Sequence, residues 1–498
     1  MLNTAVRNTG KLIRETVKTE GKRIGNRFTK KPTARLLASF PDYADRERVT
    51  LLDAGAGTGI LTAAAVEAMA KAGVKEIYAD LYEIDPSYLP VLENNMRRVR
   101  RKCHHDYAVR FRFRILAEDF LAAYAEGSER EERYDYVLLS PDDTMMDKTD
   151  PAVAAYRKSF SIPVLRSYYF FDAALRALAD GGELIAVMPT AFATADLPEK
   201  LRVRMLRECA LLRIQLFSEK DKIKDTSGTT RDRLRTDMIL HLKKGDAPAE
   251  VTIAGSYDFG ESISFTAVLP LSFVVRGDEK RILLFQSQRE LRAVSVLEAL
   301  PTTLAGEGLR MRTGLTLPSR YPELLADRPE NGAIPLLSPR GIANGHISFP
   351  IAEKQQFIVP RIPSLAQKNK NMLLLKRVPA KSDGRHLYAA VYLASQIPYA
   401  TEISTQNKLI YIDYEDGREM DAPYLHGLYA LFNSTTYECY CSILSKSAQV
   451  NAGEYKNLPL PDAMTVRAIG RRMMTTRQFS AHVSDVLVKS ALYLNDEE

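Results

Sequence analysis

VTLLDAGAGTGILTAAAVEAMAKAG, residues 49–73, is the stretch whose reading decides the fold. Val49–Gly55 is a short apolar run ending in glycine, the pattern of a strand buried on both faces. Ile60–Gly73 follows with helical periodicity, strong helix formers and a glycine at its expected C-cap. Between them the turn DAGAGTG, Asp53–Gly59, lets the backbone bend tightly and approach a ligand that a β-carbon would block.

Reading outward, the same rhythm repeats. Glu76–Tyr82, Arg112–Leu116, Tyr134–Leu139, Glu183–Met188, Leu211–Phe217 and Asp237–Lys243 read as strands. Helical patterns near Val164–Ala179, closing at Gly181–Gly182, and Glu199–Cys209 fall among the later ones. Alternation of this kind predicts an α/β domain with a mostly parallel sheet and crossover helices. An acid at the end of the second strand is the usual partner of ribose hydroxyls, and Glu83 of YEID fills that place. The rival is a nicotinamide-binding domain. The turn lacks the GxGxxG spacing of dinucleotide sites, however, and AEDF follows the third strand, where Asp119 can accept from an adenine amine and Phe120 can pack on its ring. These features point to a Rossmann-like domain binding S-adenosylmethionine through Asp53, Ala54, Gly55, Gly57, Gly59, Glu83, Asp119 and Phe120.

The texture changes after Gly245, where prolines become frequent and the βαβ rhythm stops. The expected organisation is an N-terminal helical segment at 1–40, a methyltransferase domain at 41–245, and a mixed α/β domain at 246–498 ending in a helix near Met464–Leu494. The chain has 498 residues, 45% hydrophobic and 26% charged, which suits a folded globular protein. No apolar run approaches the roughly 20 residues of a membrane span, so no membrane role is expected. Four cysteines imply no disulfide framework and make the reducing cytoplasm the default compartment. Cys439 and Cys441 form a lone CxC that reads as buried thiols, and no metal site is expected. A net charge of +7 suits a polyanionic partner and equally suits a solubilising surface. Arg97, Arg98, Arg100 and Arg101 beside CHH at Cys103–His105, and the basic stretch Lys220–Arg235, leave phosphate contact and solvated surface both open.

With those residues in place, the chain resembles the gamma-class adenine DNA methyltransferases of restriction–modification systems, in particular the BsuBI/PstI-like branch. GNRFTKKPTARLLASF (Gly25–Phe40) is similar to the family's N-terminal segment that closes over the cofactor, with Phe28 and Thr29 matching and Lys30 in place of a proline. Phe170–Phe192 resembles the family's fifth-strand region. Leu211–Asp225 resembles the segment whose phenylalanine, here Phe217, helps hold a flipped base. Leu425–Asp462 looks like the closing motif of the target-recognition domain.

The resemblance implies methyl transfer from S-adenosylmethionine to the exocyclic amine of adenine in double-stranded DNA. The base must leave the stack, at a cost of a few kcal/mol. In the family a motif N-P-P-Y after the fourth strand receives it. This chain reads SPDD there: Ser140, Pro141, Asp142 and Asp143 take the catalytic place, with Ser140 also at the cofactor. Ser140 keeps a hydrogen-bond acceptor, but a carboxylate at 143 cannot stack on the base. Tyr168 or Tyr169 is the candidate replacement ring. Three readings follow: an active enzyme with an altered pocket, a homologue that binds cofactor and DNA without methylating, and a different methyltransferase similar by chance downstream. Lys368, Lys370, Lys376, Arg377, Lys381, Arg471, Arg472 and Arg477 are candidate phosphate contacts. No nuclease signature is present, so cleavage is assigned to a separate restriction endonuclease.

Overall fold

The computed structural model describes residues 1–20, 28–128, 130–217, 220–224, 230–234, 237–246, 249–256, 263–329, 332–352, 354–378, 385, 387–444, 450, 452–476 and 478–492. The chain divides into two compact units, Met1–Ser287 and Gln288–Glu498. Among the described residues no helix is long and apolar enough to cross a membrane.

The first unit runs α1 (Leu2–Glu20), α2 (Lys31–Ala38), β1 (Arg48–Ala54), α3 (Ile60–Lys71), β2 (Glu76–Tyr82), α4 (Leu89–Tyr107), β3 (Arg110–Leu116), α5 (Phe120–Ala123), β4 (Tyr134–Leu139) and α6 (Pro151–Ala155). It continues with α7 (Arg166–Ala177), β5 (Leu178–Pro189), α8 (Ala191–Thr194), α9 (Glu199–Glu208), β6 (Cys209–Phe217), β7 (Lys220–Lys224), β8 (Thr230–Leu234), β9 (Asp237–Lys244), β10 (Glu250–Ser256) and β11 (Ile263–Pro270). Nine of the described strands form one sheet in the order β11-β10-β6-β9-β5-β4-β1-β2-β3. Strands β3, β2, β1, β4 and β5 are parallel, while β9 is inserted antiparallel between β5 and β6. This is the Rossmann-like α/β domain read from the sequence.

Helices cover both faces of such a sheet, which is why β1 and β4 are apolar nearly throughout. Strand order reverses between β1 and β4, so a crevice opens at their carboxyl ends, the usual ligand position in such sheets. Helix α7 ends at Ala177, earlier than the periodicity suggests, and β5 already begins at Leu178. Gly181 and Gly182 therefore lie inside a strand, where the register with β4 shifts and a β-carbon on Gly182 would stand 2.8 Å from the Tyr134 carbonyl. Within the basic stretch Lys220–Arg235, β7 and β8 pair antiparallel.

The unit runs past residue 245, where proline frequency draws the boundary. Strand β10 pairs in parallel with β6, and β11 folds back on β10. Arg202 of α9 adds a tie: its guanidinium, fully buried, donates to the carbonyls of Phe192, Ala195, Glu279 and Lys280.

In the second unit, six short strands form a sheet in the order 309–313, 409–414, 372–376, 389–392, 346–347 and 342–343. Helix Ala422–Asn433 crosses helix Ala463–Thr476 where two glycines remove side chains. A β-carbon on Gly427 would lie 2.0 Å from the Val466 carbonyl, and one on Gly470 would lie 1.7 Å from that of Pro423. Part of the closing motif, residues 445–449 and 451, lies outside the described residues. On either side of that gap the Tyr437 hydroxyl donates to the Pro459 carbonyl at 2.7 Å.

Candidate cofactor and substrate site

Strand β1 ends at Ala54, which is buried, and the chain then turns through Gly55, Gly57 and Gly59 at φ of 91°, 55° and 79°. L-residues with side chains rarely adopt that backbone region. The amides of Gly55 and Ala56 donate to the Tyr82 carbonyl at 3.1 and 2.8 Å, so the turn is pinned to the end of β2. Glu83, the next residue, extends that hold: its Oε2 accepts the Gly57 amide at 2.7 Å and its Oε1 accepts the Asp85 amide at 2.7 Å. Burial raises the Glu83 carboxyl above the usual range, and those two amides pull it back down. At the start of α3, Gly59 is crowded rather than open: a β-carbon there would stand 2.6 Å from Met96 Cε and 2.8 Å from Leu92 Cδ1 of α4.

Asp53 is buried, and its Oδ2 accepts from both the amide and the hydroxyl of Thr62. Burial pushes its carboxyl up to about 6 against the pull of those donors, and the nearby Glu83 adds to the rise.

Phe28, Thr29, Asp53, Gly55, Gly57 and Ser140 line one cavity with Ala56, Thr58, Ile60 and Leu61. Residues from three separate stretches, read independently in the sequence, thus meet at the carboxyl ends of β1 and β4. Phe28 closes over the turn, within 3.5 Å of where a Gly57 β-carbon would be, and meets Tyr88 edge-on with centroids 5.1 Å apart.

Ala54, Glu83, Gly59, Asp119 and Phe120 stand outside this lining. Asp119 caps α5, its Oδ1 accepting the Leu121 amide at 2.9 Å. Phe120 is buried against Tyr82, Tyr124 and Phe170, with centroids 5.3, 5.1 and 5.6 Å away.

After Ser140, half-buried at the end of β4, the chain turns outward. Pro141 is half-buried and Asp142 and Asp143 are exposed. Asp142 accepts from the amide and hydroxyl of Thr144 and pairs with Arg166 at 3.5 Å, at the start of α7. Asp143 lies near enough to Tyr168 to act on it: burial first, then that carboxylate, raises the phenol. Tyr168 is buried against Phe192 at 5.7 Å, and Tyr169 is core, wedged between Tyr156 and Phe160. Phe217, at the end of β6, is also in the core, 1% exposed, and its carbonyl accepts from Gln286 at 3.4 Å. Sequence reasoning missed Tyr88 and Arg166, which carry no motif and are defined only by what they contact, and it gave Phe170 no place at the site.

No family model matches the chain. Compared with known proteins, it is 25% identical over 487 residues to the type II methyltransferase M.PstI of Providencia stuartii, covering 95% of this chain and 93% of that one. It is 23% identical over 488 residues to the type II methyltransferase M.BsuBI of Bacillus subtilis, covering 95% of this chain and 94% of that one. The chain is a homologue of type II methyltransferases. A structure of the type IIL restriction–modification enzyme MmeI in complex with DNA aligns with a TM-score of 0.49 at 10% identity, over 100% of this chain and 76% of that one.

In the second unit of this methyltransferase homologue, the structure sorts the candidate phosphate contacts. Lys370 is not one. It is buried, its Nζ 2.6 Å from Asp413, which also binds Arg310 at 2.7 and 3.0 Å, so its charge is spent internally. Lys376 covers the Tyr388 ring at 4.2 Å. Lys368, Arg471 and Arg472 are exposed, while Lys381 and Arg477 lie outside the described residues. A cavity the sequence did not suggest gathers Arg340, Lys354 and Lys408 with Gln355, Gln406, Asn407, Ser319 and Ser338. In α4, Cys103 is buried while His104 and His105 are exposed. Among the described residues no cluster of His, Cys, Asp or Glu is arranged to hold a metal. Cys441 is buried and Cys439 half-buried.

Proposed function

We propose that the chain is a site-specific DNA methyltransferase of a restriction–modification system, using S-adenosylmethionine to methylate the exocyclic amine of adenine in duplex DNA. One observation carries the reading. Ser140, the residue after β4, lines the same cavity as the glycine turn and Phe28. Acceptor-holding and cofactor-holding residues therefore share one crevice, at the point where strand order reverses.

The residues fit the cofactor by their chemistry. Its methionine end carries an ammonium and a sulfonium, and the buried carboxylate of Asp53, which accepts from Thr62, lines the cavity. The glycines leave room for close approach, Phe28 and Thr29 close the opening, and Glu83 sets the turn and stands ready for ribose hydroxyls. Asp119 and Phe120 lie at the end of β3 for the adenine. The cofactor supplies an electrophilic methyl group.

Ser140 and the adjoining backbone then act on the amine. The amine's lone pair is conjugated into the purine, so accepting its hydrogens at Ser140 Oγ and a backbone carbonyl turns the lone pair out of the ring. Positioning and electrostatics carry the step, and no strong base is required. Arg166 balances the Asp142 charge, which would otherwise oppose an incoming phosphodiester. The cavity of the second unit lined by Lys354, Lys408, Gln355, Gln406 and Asn407 suits phosphates through its lysines and base edges through its amide side chains.

The test is transfer of labelled methyl groups from S-adenosylmethionine to unmethylated DNA, with digestion to nucleosides to locate the label. Label on N6-methyladenine is the expected result. Cofactor and DNA binding without transfer would replace this reading with that of a non-catalytic homologue.

A further inference from the structure

The glycine turn is also held from behind, by the N-terminal helix. Thr9 of α1 and Thr58 of the turn are hydrogen-bonded through their hydroxyls at 2.6 Å, and both are buried. Thr9 donates its own proton to the Ala5 carbonyl at 2.9 Å, so Thr58 must be the donor in that pair. Asn95 of α4 donates to the Thr58 carbonyl at 2.8 Å, and its Oδ1 accepts from Asn8 of α1 at 2.7 Å. Asn95 is itself buried. One residue of the turn is thus fixed at side chain and carbonyl by a closed polar chain running through two helices. The next, Gly59, is fixed by contact with Met96 and Leu92 of α4. None of these polar groups points to a catalytic use. Buried networks of this kind place a unique conformation where an apolar contact would allow several.

We infer that Thr9, Asn8 and Asn95 are positioning residues for the cofactor. Helix α1 docked on the turn holds the shape that binds S-adenosylmethionine, so cofactor occupancy and α1 docking favour each other. This rests on the cofactor reading of the cavity, because Thr58 lines it. Coupling of this kind is reciprocal: whatever affinity the turn gains from docked α1, α1 gains in stability from bound cofactor.

The experiment is calorimetric titration of S-adenosylmethionine into the full chain, as wild type, Thr9→Val and Thr9→Ser. Thr9→Val keeps the volume and removes the hydroxyl. It is expected to weaken binding about tenfold, the worth of one buried hydrogen bond, while affinity for DNA is unmoved. Thr9→Ser should restore most of the loss. In parallel, amide exchange of residues 2–16 in the wild type should slow when cofactor saturates the protein. Equal affinity in Thr9→Val and wild type overturns the inference. If Thr9→Val fails to fold, unchanged exchange in α1 on saturation overturns it instead. A wild type that binds no S-adenosylmethionine overturns the cofactor reading itself, and with it the inference.

Discussion

Glu83 accepts the backbone amide of Gly57 through Oε2 at 2.7 Å. The acid at the end of β2 therefore builds the turn, in addition to the ribose role proposed for it. Glu83→Gln keeps an acceptor for one amide and loses the charge, whereas Glu83→Ala loses both. Affinity for S-adenosylmethionine should fall about tenfold in the first and up to about a hundredfold in the second, since hydrogen bonds to charged groups contribute about 1.5–3 kcal/mol. Titration calorimetry checks this. Equal losses in the two variants would mean that only the charge matters.

Asp53 sets a pH dependence with two opposite signs. Its carboxyl sits at about 6 in the folded chain, against an ordinary 3.8. A group raised on folding contributes stability below its unfolded value and loses that contribution as pH climbs through the folded value. Wild type should therefore lose stability relative to Asp53→Asn between about pH 4 and pH 6, by about 2 kcal/mol. Paired denaturant titrations across that window measure it. Affinity for the cationic cofactor should move the other way, rising with pH through about 6 in wild type and staying flat in Asp53→Asn.

How much of this was legible in the sequence depended on how local each signal is. Strand β1, the turn and α3 sit on adjacent residues, so glycine spacing and apolar runs specified them. Phe28 and Ser140 were readable as motif positions, and the fold brought them together at the turn. The edge strands β10 and β11 escaped because their membership rests on pairing with β6, which no pattern within residues 250–270 encodes. Lys370 was misjudged as a phosphate contact for a similar reason. Its partner, Asp413, is distant in sequence. The brace at Thr9 and Asn95 was invisible because ordinary polar residues on two helices become a site only once those helices pack.

Arg202 offers a test of how the edge strands are secured. It is fully buried, and it donates to four backbone carbonyls, two of them in the turn at Glu279–Lys280. Burial pulls the guanidinium down to about 10, still charged at neutral pH. Arg202→Met fills the space but leaves those carbonyls without donors, so a loss of about 3 kcal/mol or more is expected. The loss should appear as a lower unfolding midpoint, and amide exchange in β10 and β11 should quicken before that in β1. A variant as stable as wild type would mean that water satisfies the carbonyls.

The substrate pocket yields the sharpest prediction. Asp142 is committed to Thr144 and Arg166, which makes it part of the turn that follows β4. Replacing it by proline removes an exposed ion pair and the two exposed hydrogen bonds from Thr144, a cost of about 1 kcal/mol. Asp143 is exposed and beside Tyr168, and in the proposed reading it takes the place of the ring that meets an extruded base. Asp143→Tyr alone should leave cofactor affinity unchanged. It should raise methyl transfer at subsaturating DNA by about tenfold or more, because stacking on one base contributes about 1–3 kcal/mol. Adding Ser140→Asn should raise the rate at saturation, since the longer amide reaches further toward the amine. Transfer unchanged by both substitutions, with cofactor binding intact, would place the acceptor base away from Ser140–Asp143 and require a different route into the crevice.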